Sequence, residues 1–184
     1  MGLFETISRR VRQRRERRDA VKRFRSYVDP ALVEHVLSNP PAEMPPPETR
    51  EIEFVLAIVD DRNLGRLPEL LCAAVDVLKA GGALVDSMSG SLVLGTFGLF
   101  PLRDGRSARE HRMELARRLH ERLGENAAIV HGTGPAAVGN FGSAESGHWH
   151  YGCSMERFST VIRLLASLRR GEVREWTSGA ATAE

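Results

Sequence analysis

The feature that most constrains the fold is a nearly uninterrupted apolar run at residues 53–59 (EFVLAIV). A strand with one solvated face alternates apolar and polar side chains, whereas a strand covered on both faces is apolar almost throughout. The run therefore predicts a central strand that is buried on both of its faces.

Helical and strand patterns alternate along the chain after this strand. Apolar residues at helical spacing predict helices at Leu67–Ala80, 107–123 and 158–168, each closed by a nearby glycine. Short apolar runs predict further strands at 83–88, Leu92–Phe97, 127–131, 136–141, 151–154 and, at an edge, 173–176. The first two of these flank Ser89-Gly90-Ser91, which is typical of a β-hairpin. The order β-α-β-β-α-β predicts an α+β domain of the ferredoxin-like type, with an antiparallel sheet and helices mainly on one face.

Charge is distributed unevenly, although the net charge is only +2. Residues 1–28 contain ten Lys and Arg against three acidic residues, so the rest of the chain is acidic. We predict a basic N-terminal helix over this segment, because it is rich in helix-favouring Arg and Glu and has no proline. Three roles stay open for it: a solvated signalling or dimerising helix, contact with an anionic membrane surface or acidic protein, and nucleic-acid binding, which is the least favoured.

The predicted domain organisation has four parts. After the helix of residues 1–28 come a short helix and a Pro-rich linker at 29–50, in which Asp29-Pro30 opens a helical turn at 31–37. Residues 51–176 form the folded domain, and 177–184 form a disordered tail.

Composition excludes several classes of protein. No run of 18 apolar residues exists, which argues against a transmembrane helix, and the arginines that follow the N-terminus argue against a secretion signal. We expect a cytoplasmic protein, with a peripheral position at the inner membrane surface as an alternative. Cys72 and Cys153 lie in apolar surroundings and are predicted to be buried thiols rather than a disulfide.

Five segments resemble, in order, parts of the class III nucleotidyl cyclase homology domain: 23–37 (RFRSYVDPALVEHVL), 51–60, 81–98 (GGALVDSMSGSLVLGTFG), 128–143 (AIVHGTGPAAVGNFGS) and 151–164. The resemblance covers about residues 23–176. It implies the nucleotide cyclase fold, with sites that form between two subunits. It also implies cyclisation of ATP or GTP with two divalent ions, Mg²⁺ or Mn²⁺, that activate the nucleophile and hold the phosphates.

The resemblance also assigns six site positions, most of which lack the side chain that the reaction needs. They are the two metal positions, Asp60 and Ser91; the two base-recognition positions, Ser87 and Gly152; the ribose-orienting position, Ser159; and the transition-state arginine, Arg163. Only Asp60 and Arg163 are retained, and a neutral hydroxyl at Ser91 cannot replace a bridging carboxylate for a hard cation.

The resulting prediction is a degenerate cyclase homology domain without catalytic activity. It would act as a dimerising regulatory or scaffolding module in signalling, paired with a second copy or with another cyclase-homology chain. One alternative is a divergent adenylate or guanylate cyclase, active either by itself or only as a heterodimer. A second is a nucleotide- or anion-binding module without catalysis. Mg²⁺ or Mn²⁺ is expected only if nucleotide binding persists.

Overall fold

The computed structural model describes residues 30–38, 46–60, 62, 64–100, 105–143 and 148–177. The chain divides into two units, Met1–Met44 and Pro45–Glu184. In the first unit, helix α1 (Pro30–Ser38) confirms the predicted short helix. The predicted basic helix of residues 1–28, most of the Pro-rich linker and the tail after Thr177 lie outside the described residues.

The described part of the second unit contains six strands and three α-helices. They are β1 (Glu48–Val59), α2 (Leu67–Ala80), β2 (Leu84–Ser89), β3 (Leu92–Phe97), α3 (Ala108–Leu123), a 3₁₀ turn (Gly124–Asn126), β4 (Ala127–Ser143), β5 (His148–Met155), α4 (Phe158–Ser167) and β6 (Val173–Thr177). The predicted β-α-β-β-α-β order is confirmed. None of the described helices is both long enough and apolar enough to cross a bilayer.

The strands form one sheet in the order β2-β3-β1-β4-β5, and β6 also pairs with β4. All neighbours are antiparallel except β6, which runs parallel to β4. β1 lies between β3 and β4, so that Phe54 pairs with Thr96 on one side and with Gly132 on the other. The apolar run is therefore the central strand that the sequence predicted.

Both faces of β1 are covered by helices. Because side chains alternate along a strand, Val55, Ala57 and Val59 pack with α2 and α3, whereas Phe54 and Leu56 pack with α4 and Trp176. The prediction that helices lie mainly on one face therefore holds for two of the three helices of this unit. The third, α4, covers the opposite face with Val161 and Leu165.

Helix α3 begins where the sequence predicted, and its capping explains why. The Ser107 side chain accepts a hydrogen bond from the Glu110 backbone N–H, and the Glu110 carboxylate accepts one from the Ser107 N–H. This reciprocal capping box satisfies two helix-end donors that would otherwise lack partners.

One predicted pair of strands is wrong: residues 127–131 and 136–141 belong to a single strand, β4. Gly132, Gly134 and Pro135 between them are residues that usually weaken or interrupt strands. Here β1 pairs with twelve consecutive residues of β4, from Ala127 to Val138, so a long partner strand keeps the interrupted sequence extended.

The two cysteines differ in exposure. Cys72 is exposed, whereas Cys153 is half-buried on β5. The prediction of two buried thiols is therefore wrong for Cys72. On α2 the buried face is formed by Leu70, Ala74 and Leu78, and a residue two positions after Leu70 lies on a different side of a helix.

Candidate functional site

The two predicted metal positions, Asp60 and Ser91, meet at the carboxyl end of β1. The Val59 N–H donates a hydrogen bond to the Ser91 carbonyl oxygen at 2.9 Å, which fixes the β2–β3 turn beside that end. The Asp60 N–H donates to the Asn126 carbonyl oxygen at 2.7 Å, just before β4. Residues 31 positions apart in the chain are thus neighbours in the folded protein.

The Asp60 carboxylate is held by Arg62. Arg62 Nη2 lies 2.6 Å from Oδ2 of Asp60, Nε lies 2.8 Å from Oδ1, and the Arg62 backbone N–H donates to Oδ1 at 3.1 Å. These hydrogen bonds hold the pKa of Asp60 well below its usual range, despite the opposing effect of burial. Asp60 is therefore an ionised carboxylate whose two oxygens already face a cation.

A second guanidinium lies at the same place. Arg170 Nη1 donates to the Ile58 carbonyl oxygen at 2.9 Å, and the Arg170 charge contributes to the low pKa of Asp60. We call the group formed by Asp60, Arg62, Ser91 and Arg170 the β1-end site. Its arginines outnumber its single carboxylate.

The β1-end site does not fit a pair of divalent metal ions. Mg²⁺ and Mn²⁺ prefer several oxygen ligands, anionic ones above all. Asp60 supplies the site's one carboxylate and shares it with Arg62, while Ser91 supplies a neutral hydroxyl. Within the described ranges, no group of three or more His, Cys, Asp or Glu residues could hold a metal ion.

The two base-recognition positions lie on different strands. Ser87 is on β2, where its backbone pairs with Leu94, next to an irregularity of the β2–β3 pairing. Gly152 is on β5, where it pairs with Gly139. β2 and β5 are not neighbouring strands, and Gly152 has no side chain with which to hydrogen-bond a base.

Ser159 and Arg163 lie one turn apart on α4, and both are exposed. Val161 and Leu165 form the buried side of the helix, so the two site positions face away from the sheet. Arg163 Nη2 lies 3.5 Å from Oγ1 of Thr160, a contact at the limit for a hydrogen bond. Its guanidinium is therefore presented at the surface of this unit.

Ser159 lies at the start of α4, whereas Asp60 lies near the segment that follows the end of α4. Just before the helix, the Glu156 N–H donates to the Pro135 carbonyl oxygen; after it, the Gly171 N–H donates to the Ala127 carbonyl oxygen, beside Asp60. Pro135 and Ala127 are eight residues apart on β4, about 26 Å at the rise of an extended strand. One chain therefore does not bring the predicted metal positions and the predicted ribose position together.

Comparison with solved structures identifies the architecture. No protein-family model and no curated protein matches the sequence. A bacterial light-regulated adenylyl cyclase superposes with a TM-score of 0.56 and 13% identity, over 90% of this chain and 53% of that one. The dimeric guanylyl cyclase domain of the RhoGC fusion protein from Blastocladiella emersonii gives 0.53 and 15%, over 68% and 79%. The guanylate cyclase domain of RhGC from Catenaria anguillulae, solved with GTP, gives 0.52 and 15%, over 68% and 78%.

The chain has the nucleotidyl cyclase fold. The likeness extends over most of each of the two fungal domains, whereas this chain spans about half the length of the light-regulated enzyme. At these identities the comparison establishes the fold, and activity has to be argued from the residues of the site.

The cyclase-fold domain also contains a buried ion cluster that the sequence analysis missed. The Arg112 side chain on α3 is only 2% exposed. Its Nε lies 2.8 Å from Oε2 of Glu53, so the two side chains form an ion pair, although these two atoms are not aligned for a hydrogen bond. Its Nη2 donates a hydrogen bond to Oε1 of Glu175 at 2.8 Å. The cluster joins α3 to β1 and β6. A signal was present, because Arg112 falls at helical spacing with the core residues Leu115 and Leu119.

His131 lies beside this cluster, paired with Glu175 between β4 and β6. Burial lowers the pKa of the His131 imidazole, the Arg112 charge lowers it further, and Glu175 acts in the opposite direction. The sequence analysis did not assign His131 to the site, and its position in the sheet gives it a part in stability.

We expect His131 to make the domain less stable in mild acid. Its pKa in the folded state lies below the ordinary value of 6.5, so the unfolded chain binds the proton more readily. The stability provided by the neutral imidazole is present above the ordinary pKa and is lost as the pH falls through the folded-state pKa. Urea unfolding at pH 5, 6 and 7 measures this loss. His131→Gln should flatten the dependence, and an unchanged slope would show that His131 is not its source.

Proposed function

We propose that this chain is a catalytically inactive relative of nucleotidyl cyclases that acts as a dimerising regulatory or scaffolding module. The observation that carries the proposal is the state of the β1-end site, where Asp60 is paired with Arg62 and a neutral residue, Ser91, lies beside β1. Ser91 is the position that the resemblance predicts for the second metal ligand. The cyclase fold is retained around it.

Electrostatics supports the loss of activity. A nucleoside triphosphate is polyanionic, and divalent ions are the groups that offset its charge as the 3′-oxygen attacks the α-phosphate. Asp60 alone is a poor substitute for two bridging carboxylates. The base and ribose positions hold Gly152 and Ser159, and Gly152 has no side chain to offer. Each missing preorganised contact typically costs about 10²–10³ in rate, so the combined losses leave negligible turnover.

The separation of Asp60 from Ser159 supports a dimer. Because these positions lie at opposite ends of α4, a second chain is needed to place a predicted ribose position opposite the predicted metal positions. The Blastocladiella emersonii guanylyl cyclase domain is described as a non-canonical dimer in one crystal structure and as monomeric in another. A dimer of this chain would keep the interface while the chemistry of the site is lost.

The Arg-rich segment of residues 1–28 gives the module a means of docking. Its excess of positive charge suits an anionic membrane surface or an acidic partner protein. In this proposal the segment positions the domain or transmits a signal to it, in the cytoplasm or at the inner membrane surface.

We expect no cyclic nucleotide from the purified chain with ATP or GTP in the presence of Mn²⁺. The measurement is chromatographic detection of cyclic AMP and cyclic GMP, with an active cyclase domain in the same buffer as the positive control. Product formation that is abolished by Asp60→Ala would contradict the proposal, because it would show that this carboxylate still supports catalysis.

The exposure of Arg163 favours one alternative, in which the chain completes the site of a different cyclase subunit. Arg163 is the retained transition-state position and faces away from its own core. The alternative is tested by mixing this chain with an active cyclase chain whose own arginine at that position has been removed. Activity restored by the wild-type chain but not by Arg163→Ala would support a heterodimeric enzyme.

A further inference from the structure

We propose that Arg62 acts as a built-in substitute for the metal ion, neutralising Asp60 and closing the β1-end site to divalent cations. The inference rests on the proposed correspondence of Asp60 and Ser91 with the metal positions of cyclases. It goes beyond the loss of a ligand at Ser91, because it assigns the site a resident cation that competes with any metal ion for the remaining carboxylate.

The contact has the geometry of a strong charge-assisted pair. Nε and Nη2 of Arg62 approach different oxygens of Asp60 at 2.8 and 2.6 Å, so both carboxylate oxygens are engaged by one planar guanidinium. The Arg62 backbone N–H donates a further hydrogen bond to Oδ1 at 3.1 Å. These donors occupy three of the roughly four acceptor positions of the carboxylate, so a divalent ion at Asp60 would have to compete with a guanidinium that already contacts both oxygens.

Connectivity and burial favour the resident guanidinium over an ion from solution. Arg62 is two residues from Asp60, so closing the contact orders only a short loop, whereas an ion must be recruited from solution at its free concentration. The Asp60 side chain is only 17% exposed, whereas that of Arg62 is 77% exposed, so little of the carboxylate is open to an ion from solution.

The charges at this end of β1 also favour the resident guanidinium over a metal ion. Arg170 bonds to the Ile58 carbonyl oxygen and adds a second positive charge near Asp60. With Ser91 neutral, a metal ion would bring two further positive charges to a group of described residues that contains one carboxylate. A second carboxylate at position 91, which lies beside β1 through the Val59–Ser91 hydrogen bond, would give two carboxylates against two guanidinium groups and so remove the excess of positive charge.

The test is a titration of the full-length chain with Mn²⁺ alone, followed by the electron paramagnetic resonance signal of free Mn²⁺. We expect no measurable binding to the wild-type chain and weak binding to Ser91→Asp. The double variant Ser91→Asp with Arg62→Gln should bind at least about tenfold more tightly than Ser91→Asp. A matched control, Ser91→Asp with Arg174→Gln, removes an exposed arginine on β6 and should bind like Ser91→Asp.

Three results would overturn the inference: equal affinity of Ser91→Asp and the double variant, binding by the wild-type chain as tight as that of the double variant, or no binding by the double variant. The assay contains no nucleotide, so cyclase activity of the wild-type chain would contradict the proposed function without changing how these affinities are interpreted.

A second measurement does not depend on the folding of Ser91→Asp. Mn²⁺ broadens the nuclear magnetic resonance signals of nearby amides, even when it binds weakly. In Arg62→Gln, the amides of Val59 and Ser91 should broaden at Mn²⁺ concentrations that leave the wild-type signals sharp. Equal broadening in the two proteins would show that Arg62 does not block the site.

Discussion

Replacement of Arg112 by alanine is expected to lower the free energy of unfolding by about 3–5 kcal/mol, a large fraction of the stability of a domain of this size. The guanidinium is almost fully buried, and it is the common partner of Glu53 and Glu175. Truncation removes both contacts and leaves the Glu53 carboxylate, whose side chain is 13% exposed, as a buried charge without its counter-ion. The expected effect comes mainly from that uncompensated charge rather than from the net strength of the pair.

Urea denaturation at pH 7 measures this effect, and the same helix provides a matched control. Arg117 on α3 also contacts two glutamates, Glu114 and Glu121, but this network is exposed to solvent. Arg117→Ala should therefore change stability far less than Arg112→Ala.

Glu53→Gln separates the two origins of the effect of Arg112→Ala. In the Arg112→Ala background this change removes the stranded charge and should recover part of the lost stability. If Arg112→Ala proved as mild as Arg117→Ala, the buried cluster would not be the link between α3 and the sheet that the contacts indicate.

Replacement of Gly132 by alanine should displace β6 from the sheet and lower the free energy of unfolding by about 1–3 kcal/mol or more. A Cβ atom at this position would lie 2.4 Å from the Trp176 carbonyl oxygen, which is backbone and cannot swing away. Gly132 pairs with Trp176 in the parallel β4–β6 ladder. The Trp176 ring packs 5.9 Å from that of Phe54, so movement of β6 also opens the core under α4.

Gly134→Ala is the graded comparison for this substitution. Its Cβ would lie 2.9 Å from Cζ3 of Trp176, an atom of a side-chain ring. Since a side chain can shift more readily than backbone, we expect a smaller loss of stability than for Gly132→Ala.

Tryptophan fluorescence reports the displacement directly, provided that Trp149→Phe removes the second indole. In that background Gly132→Ala should shift the Trp176 emission to longer wavelength, as expected for an indole that becomes hydrated. Unchanged emission together with unchanged urea stability would mean that β6 tolerates the added methyl group.

The elements that the sequence predicted correctly are those whose signal is local. The apolar run that became β1, the hairpin around Gly90 and the helix capped by Ser107 each depend on a few adjacent residues. β4 was divided wrongly because Gly132 to Pro135 suggests an interruption when read without its partner. The twelve-residue pairing with β1, which local sequence does not reveal, keeps these residues extended.

The candidate site also divides into features that local sequence indicates and features that only the tertiary structure reveals. The sequence located Asp60 and Ser91, and the structure joins them through the end of β1. The sequence did not reveal that Arg62 binds the Asp60 carboxylate, although the two residues are only two positions apart. Many conformations are open to an exposed arginine side chain, and spacing alone does not select the one that faces the carboxylate.

The amino-acid sequence by itself determined the order of helices and strands, and its resemblance to cyclases predicted a site that lacks most of the side chains the reaction needs. Periodicity and residue identity carry both kinds of information without reference to distant parts of the chain. Only the tertiary structure decided that Asp60 has a guanidinium partner, that Asp60 and Ser159 lie at opposite ends of α4, and that Arg112 is buried. The last two properties depend on strand register and on helix packing across the sheet, which bring together residues far apart in the chain. The first depends on the side-chain conformation that Arg62 adopts at the end of β1, which local spacing does not select.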